Sequence, residues 1–369
     1  MKYLTGFNIF IIVLLSCKNV FAQNTDRLFT KLNPAETNIH FKNEVTDTRE
    51  HNILKYSNFY GGAGVGVGDI NNDGLLDIFF AGNQVPDKLY LNKGNMVFED
   101  ITEKAGIKDL GGWSSGVLFG DVNNDGLQDI YVTRELYDHQ PEIRRNKLYI
   151  NNGDNTFVEK SKEWGIDNSE RTRHATYLDY DKDGDLDLFL LNQPPNPGDY
   201  SDFIGTDLSL ERYGTVFYEN RGTEFVDISK QTGLFKTGFP NRVTASDLNN
   251  DGWTDLYVAN DFWIKDFIYL NNGDGTFTDK VDELVNHISF SSMGVDAADI
   301  DNDGNLDVMV LDMVAEDNFR QKAHMSGMNP KTFWKVVNEG GHYQYMFNAL
   351  HYNNGDAHFS DIAQLTNMA

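Results

Sequence analysis

The sequence predicts an all-β protein, a β-propeller made of four-stranded antiparallel blades. Three observations carry this prediction. A nine-residue acidic pattern occurs five times, a second pattern that ends in Asn follows each copy, and short β-branched or aromatic runs flank both. A four-stranded unit of about 50 residues that repeats along a 369-residue chain is typical of propeller blades.

The N-terminus predicts a signal peptide, because the apolar run over residues 7–15 follows Lys2 and is too short for a stable membrane span. Two processing sites remain open. Residues 14–17 resemble a bacterial lipobox, which would end a lipoprotein signal at residue 16 and place a lipid anchor on Cys17. Residues 20–22 fit ordinary signal peptidase, which would remove residues 1–22 and leave the propeller over 23–369. We expect an exported protein, secreted or held at the cell surface as an outer-membrane lipoprotein, with no transmembrane helix in the mature chain.

Five complete blades and a partial one are expected. Residues 28–43 are expected to form a lone outer hairpin whose inner partner is missing. The Phe that opens each fourth strand is followed after 22 or 23 residues by the next acidic turn, and fewer residues than that follow Phe359. These spacings favour a truncated or partial propeller. A complete five- or six-bladed ring with a degenerate closing blade is the alternative.

The first pattern is a nine-residue turn between the first two strands of each blade. It occupies residues 69–77, 121–129, 179–187, 247–255 and 299–307, with Asp or Asn at positions one, three, five and nine of every copy. Position six is always Gly, which permits the positive-φ bend of a tightly curled loop. Strand-like runs such as residues 78–80 and 130–132 follow directly.

Calcium is the ion that this turn predicts, with up to five bound. Ca²⁺ takes six to eight oxygen ligands, whereas Mg²⁺ prefers a rigid octahedron with retained waters. An EF-hand would need a Glu at position twelve, where this chain has strand residues such as Phe80. The predicted ligands are the side chains at positions one, three, five and nine and the backbone carbonyl at position seven: Asp69, Asn71, Asp73, Leu75 and Asp77; Asp121, Asn123, Asp125, Leu127 and Asp129; Asp179, Asp181, Asp183, Asp185 and Asp187; Asp247, Asn249, Asp251, Trp253 and Asp255; Asp299, Asp301, Asp303, Asn305 and Asp307.

The second pattern predicts the other hairpin of each blade. It runs over residues 89–92, 148–151, 217–220, 268–271 and 350–353, and each copy ends in Asn. A Gly follows two residues later, and a Phe then stands at 98, 157, 225, 277 and 359. Turn sequences such as Asn-Gly-Asp-Gly at 272–275 fit a tight hairpin connection.

The nine-residue turns resemble the FG-GAP/VCBS repeats of integrin-α-type propellers. Residues 64–69, 292–296, 311–322 and 342–345 make the chain similar to exported bacterial proteins of the cartilage-acidic-protein and ASPIC/UnbV family, over about residues 28–365. The resemblance implies a Ca²⁺-binding propeller on the cell surface and carries over the turn ligands one by one. It implies no known reaction.

Charge and cysteine content exclude several classes of function. The formal net charge is −25, from 31 basic and 56 acidic residues, so nucleic-acid binding is not expected. The one cysteine cannot form an internal disulfide. Without the ion, each turn would crowd three or four carboxylates together, so much of the acidity is interpreted as a folding requirement for Ca²⁺.

The partner surface is predicted to lie opposite the calcium turns. Strands alternate in direction, so the connections between second and third strands lie at that end, and nearly all length variation is confined to them. Variable loops on a fixed scaffold commonly carry binding sites. The candidate segments are residues 134–145, 192–213, 260–266 and 312–345, with a protein or glycan as ligand. The alternative is that these insertions only cover the mouth of the funnel or neighbouring blades.

No catalytic residue is predicted. Residues 112–116 match the Gly-x-Ser-x-Gly pattern of serine hydrolases, but a strand rather than the required helix is expected after the serine. The glycine-rich run over residues 61–68 lacks the spacing of a dinucleotide-binding loop and is interpreted as a close-packed inner strand. We therefore expect a binding or adhesion module. A propeller enzyme, a hydrolase or lyase that acts on polysaccharide or lipid, is the alternative.

Overall fold

The protein is all-β in a computed structural model that describes residues 29–108, 111–194, 213–315, 317–324, 329–355 and 358–368. The described residues form five four-stranded sheets, a two-stranded parallel pair and a few short helices. No helix among them is long and apolar enough to cross a lipid bilayer. The predicted signal peptide and Cys17 lie outside the described residues.

Each four-stranded sheet is a meander in chain order. The first has β1 Val65–Gly68, β2 Asp77–Phe80, β3 Lys88–Asn92 and β4 Phe98–Asp100, and the second has β5 Ser114–Gly120, β6 Asp129–Arg134, β7 Lys147–Asn151 and β8 Phe157–Glu159. The third has β9 Arg171–Leu178, β10 Asp187–Gln193, β11 Val216–Asn220 and β12 Phe225–Asp227, and the fourth has β13 Pro240–Ser246, β14 Asp255–Asn260, β15 Phe267–Asn271 and β16 Phe277–Asp279. The fifth has β18 Gly294–Ala298, β19 Asp307–Leu311, β21 Ala349–Asn353 and β22 Phe359–Asp361, while β17 Ile288–Ser289 pairs with β20 Gln344–Tyr345.

Antiparallel pairing places different connections at the two ends of each sheet. In the first sheet Gly68 pairs with Asp77, and Asn92 pairs with Phe98, so the acidic turn and the β3–β4 turn lie at the same end. The same arrangement occurs in the other four sheets. We call this end the turn face. The connections between second and third strands lie at the other end, which we call the opposite face.

Neighbouring sheets pack through their first strands, in the series β1, β5, β9, β13 and β18. Small residues permit the close approach: a Cβ added to Gly64 would lie 2.8 Å from the Cα of Gly116, and one added to Gly66 would lie 2.6 Å from Val117 Cγ1. Residues 65–68 of the glycine-rich run therefore form a close-packed strand, as predicted, whereas residues 61–64 precede the strand. Apolar clusters fill the space between successive sheets, such as the one that includes Phe79, Leu89 and Val132.

The predicted hairpin over residues 28–43 is wrong for the described residues of that segment, 29–43. They form helix α1, Pro34–Thr37, and contain no strand. Asn33 caps this helix in a capping box with Glu36, a local arrangement that satisfies the backbone N–H groups at the helix start. The segment still covers the first sheet, because the Phe41 ring stacks on Phe80 with 5.0 Å between ring centroids.

The insertions on the opposite face carry most of the remaining helices. Helix α2, Pro141–Arg144, lies between β6 and β7, whereas α3, Ser229–Thr232, and α4, Val281–Leu284, follow fourth strands. The connection from β19 to β21 contains α5, Asn318–His324, and α6, Pro330–Asn338. Asn329 caps α6 by accepting a hydrogen bond from the Lys331 N–H. Residues 195–212 of the third-sheet insertion lie outside the described chain.

Candidate functional site

Each acidic turn is curled by two left-handed residues. The Gly at position six has φ between 82° and 92° in all five turns. Position four is left-handed as well, at Asn72, Asn124, Lys182, Asn250 and Asn302. Asn tolerates this conformation better than most side chains, which explains its prevalence there. The Gly bend was predicted from the sequence, whereas the bend at position four was not.

The curl directs the side-chain oxygens of the turn toward one another. In every turn the Gly N–H donates to the position-one carboxylate and the position-seven N–H donates to the position-five carboxylate, over 2.7–3.2 Å. Carboxylate oxygens of Asp179, Asp181 and Asp187 lie within 4.8 Å of one another, as do those of Asp299, Asp301 and Asp307. The other three turns have Asn at position three. The role of the position-seven carbonyls stays a prediction.

The position-nine carboxylates are buried and fixed by backbone donors. Asp77, Asp129, Asp187, Asp255 and Asp307 are at most 2% exposed. In each, Oδ2 accepts the N–H of position two over 2.9–3.2 Å, and Oδ1 accepts the N–H of the Asn that ends the third strand over 2.7–2.9 Å. The ninth residue therefore ties the acidic turn to the third strand, a role that the sequence did not reveal.

The electrostatics of the turns favour a bound cation. Burial raises the pKa of Asp129 to about 7, of Asp255 to about 7 and of Asp187 to about 8, and nearby turn carboxylates add to the effect. In the third turn, Asp179 Oδ1 and Asp185 Oδ1 are buried and accept no hydrogen bond from any described residue. A set of carboxylate and amide oxygens with unsatisfied lone pairs and mutual repulsion fits Ca²⁺, a hard cation that prefers oxygen ligands.

The Asn that ends the second pattern joins neighbouring sheets. Its Nδ2 donates to a carbonyl in the turn of the preceding sheet: Asn151 to Ile70, Asn220 to Val122, Asn271 to Tyr180 and Asn353 to Leu248, each over 2.8–2.9 Å. We call these four the bridging asparagines. The same side chains also donate within their own sheet and accept the N–H of the Gly two residues later. The recurrence of Asn at this position was visible in the sequence. The bond between sheets was not predicted, because the acceptor of each Asn is remote in sequence.

A cavity of about 320 Å³ opens between the first strands on the opposite face; we call it the inter-sheet cavity. All five sheets contribute lining residues in, or within two residues of, a first or second strand. Its lining residues are Ser57, Asn58, Tyr60, Gly61, Gly62, Ala63, Ser115, Arg173, Asn241, Arg242, Met293 and Met313.

The segments predicted to form the partner surface leave the ends of β6, β10, β14 and β19, so each begins on the same face as this cavity. Whether they contact a partner stays a prediction.

The serine of the Gly-x-Ser-x-Gly pattern lies in a strand. Ser114 opens β5, as expected, and its Oγ donates to Asp87 Oδ2 over 3.1 Å. The neighbouring Ser115 donates to the Thr172 carbonyl over 2.6 Å. The strand-to-helix turn that exposes a nucleophilic serine is absent at this position.

Comparison with known proteins agrees with the repeat pattern. The family of FG-GAP-like repeats matches residues 53–132, 138–190 and 247–310. The chain belongs to this family. It is 24% identical over 264 residues to cartilage acidic protein 1 of Xenopus tropicalis, which covers 67% of this chain and 39% of that protein. Human cartilage acidic protein 1 is also 24% identical, over 268 residues. The chain thus spans about two fifths of the length of these relatives.

Among solved structures, a rhamnogalacturonan lyase of Bacillus licheniformis aligns with 68% of this chain and 46% of its own, at 13% identity and a TM-score of 0.38.

Proposed function

We propose that this protein is a Ca²⁺-stabilised β-propeller that acts outside the cytoplasm as a binding module for a protein or glycan. Its five four-stranded sheets are the blades, and its domain comprises residues 23–369. Up to five Ca²⁺ ions bind at the turn face, and the partner binds at the opposite face. The observation that carries the proposal is the repeated acidic turn with its buried position-nine carboxylate. The pKa of this carboxylate is raised in the first four turns, and in the third and fifth turns it lies within 4.8 Å of two further carboxylates.

The ions would be held by the side chains at positions one, three, five and nine and by the carbonyl at position seven of each turn. The chemistry that Ca²⁺ supplies is charge neutralisation, because it replaces repulsion among carboxylates with ligation. Affinities on the order of 10⁻⁴–10⁻³ M, typical of extracellular modules, would keep the turns filled outside the cell. The bound turns then hold the strand ends of each blade.

Calorimetry tests the metal assignment. We expect a higher melting temperature with millimolar Ca²⁺ than after its removal, and a titration stoichiometry near five. Asp255→Asn should remove one ion from this stoichiometry, since it neutralises a buried ligand. Asp274→Asn is the matched control, because Asp274 lies in the β15–β16 turn and accepts hydrogen bonds only from Thr276 within the described chain. Equal melting temperatures with and without Ca²⁺ would refute the assignment.

The partner face is tested by shortening the insertion over residues 314–340 to the length found in the first sheet. Exposed aromatic side chains in this insertion, Phe319 at 80% and Trp334 at 53%, are suited to contact a partner. A glycan array probed with the Ca²⁺-loaded protein should lose its signal with the shortened variant. Binding that is unchanged after shortening would overturn the choice of face.

A further inference from the structure

We infer that the inter-sheet cavity binds a carboxylated sugar, with the carboxylate held by the guanidinium groups of Arg242 and Arg173. This inference rests on the proposed function, which places the partner on the opposite face, and it adds the chemical class of the ligand. Three independent features support it: backbone bulges, uncompensated positive charge and the mixture of neutral groups around the two arginines.

Backbone bulges direct residues of three successive sheets into the cavity. The pairing of β5 with β6 skips Ser115, that of β9 with β10 skips Arg173, and that of β13 with β14 skips Asn241. Each of these unpaired residues lines the cavity. Bulges re-aim side chains and are common beside functional sites. Ser115 and Asn241 also donate to the main-chain carbonyls of Thr172 and Ser292, over 2.6 Å and 3.0 Å, so their bulges serve the packing of the sheets as well as lining the cavity.

Positive charge is concentrated in the cavity although the protein is strongly acidic. Arg173 Nη1 lies 2.8 Å from Oε1 of the buried Glu135, which balances one charge. Arg242 forms no ion pair with a carboxylate among the described residues. Arg242 is an exposed residue, and partial desolvation by the surrounding sheets, followed by the charge of Arg173, lowers its pKa. Burial, followed by Arg242 and Arg173, lowers the pKa of His174 well below its usual range, so this imidazole is neutral.

A planar guanidinium with unused donors matches the geometry of a carboxylate. A carboxylate between the two arginines would remove their mutual repulsion. Glu135 already balances the charge of Arg173, so the site has about one positive charge left, that of Arg242. A carboxylate, with a single negative charge, therefore fits the site better than a more highly charged phosphate.

The remaining groups suit the hydroxyls and the carbon skeleton of a sugar. Asn58 uses its Nδ2 to donate to Gln193 Oε1 over 3.1 Å, which leaves its Oδ1 to accept from a ligand hydroxyl. Tyr60 is 59% exposed and Met313 is 58% exposed, so both offer apolar surface for the C–H face of a ring. The volume of about 320 Å³ corresponds to a ligand of one or two sugar residues.

The test is isothermal titration of the Ca²⁺-loaded protein with D-galacturonic acid, D-galactose and butyrate. Galacturonic acid should bind at least about tenfold more tightly than galactose, which has a CH2OH group in place of the carboxylate, because a charged hydrogen bond is lost. It should also bind more tightly than butyrate, a monocarboxylate of the same charge without the ring. Equal binding of galacturonic acid and galactose overturns the role of the arginines, and equal binding of butyrate overturns the sugar.

Arg242→Gln should abolish most of the binding while keeping the fold, because no described carboxylate depends on this arginine. Its melting temperature should equal or exceed that of the wild type, since repulsion from Arg173 is removed. Arg221→Gln is the matched control: it removes the same charge from an exposed arginine that is paired with Glu219 near the turn face. Unchanged affinity in the Arg242 variant contradicts the inference.

The effect of Ca²⁺ on the melting temperature separates a failure of the cavity assignment from a failure of the proposed function. If galacturonic acid fails to bind while Ca²⁺ still raises the melting temperature, only the cavity assignment falls. If Ca²⁺ has no effect on melting, the proposed function itself falls.

Discussion

The bridging asparagines permit a direct measurement of what holds neighbouring sheets together. Asn220 is 2% exposed and donates both N–H groups of its amide, to the Val122 carbonyl of the preceding sheet at 2.8 Å and to the Leu186 carbonyl at 3.2 Å. Its Oδ1 accepts the Gly222 N–H at 2.9 Å. Asn220→Ala removes all three bonds and leaves the Val122 carbonyl buried without this donor.

The first sheet supplies a matched control. Asn92 occupies the same position and makes the corresponding bonds to the Leu76 carbonyl and from the Gly94 N–H, both at 2.9 Å. Within the described chain, its side chain makes no bond to another sheet. We expect Asn92→Ala to lower the free energy of unfolding by about 0.5–1.5 kcal/mol, the usual net value of an intramolecular hydrogen bond. Asn220→Ala should cost about 2–4 kcal/mol, because an unsatisfied buried carbonyl adds about 1–3 kcal/mol.

Urea denaturation followed by tryptophan fluorescence, at saturating Ca²⁺, measures both variants. The dependence on urea should be unchanged, so that midpoints report stability. Asn151→Ala should reproduce the larger loss, because Asn151 bridges the first and second sheets in the same way. If Asn92→Ala and Asn220→Ala are equally destabilised, the inter-sheet bond contributes nothing measurable and the reasoning is refuted.

Three further predictions concern the turns and the inner strands. In metal-free protein the melting temperature should fall between pH 5 and pH 8, because Asp129, Asp187 and Asp255, with pKa values of about 7, 8 and 7, keep protons that the unfolded chain has already lost. Saturating Ca²⁺ should remove this decline. A melting temperature that stays constant between pH 5 and pH 8, measured by calorimetry in metal-free buffers, would contradict the prediction. Gly64→Ala should cost about 1–3 kcal/mol by urea denaturation, since its Cβ would meet backbone 2.8 Å away. Val65→Ala, at a position that is 54% exposed, should cost far less, and similar losses would argue against close packing. Lys182 Nζ lies 3.9 Å from the centre of the Trp253 ring, between the third and fourth turns, so Ca²⁺ should change tryptophan emission. Trp253→Phe should remove most of that change, and an unaltered titration would assign it elsewhere.

Much of the fold was predictable because its signals are local. The second strands begin at the ninth residue of each acidic turn, and the fourth strands begin at Phe98, Phe157, Phe225, Phe277 and Phe359, as the two patterns indicated. Turn residues and alternating apolar residues determine these boundaries within a few positions of the chain.

The errors also have physical causes. Residues 29–43 contain β-branched and aromatic residues, but the capping box at Asn33 and Glu36 was a stronger local signal for a helix. No helix was predicted in the insertion before β21, although Asn329 followed by Pro330 is a recognisable helix start.

The other features of the site depend on tertiary contacts. The bridging asparagines donate to residues 81–105 positions earlier in the chain, which no local pattern specifies. The bulges at Ser115, Arg173 and Asn241 likewise appear only once strands are paired. The convergence of three carboxylates in the third and fifth turns agrees with the predicted spacing, whereas the number of bound ions stays a prediction.

Each bridging asparagine donates to the sheet that precedes its own in the sequence. Each belongs to the later of the two sheets that it joins, and its acceptor is a main-chain carbonyl, which every amino acid provides. A duplicated segment of the gene that encodes one sheet would therefore bring its own connector and require no compensating change in its neighbour. Such a junction lets the number of repeats change during evolution while the side chains at the opposite face diverge independently.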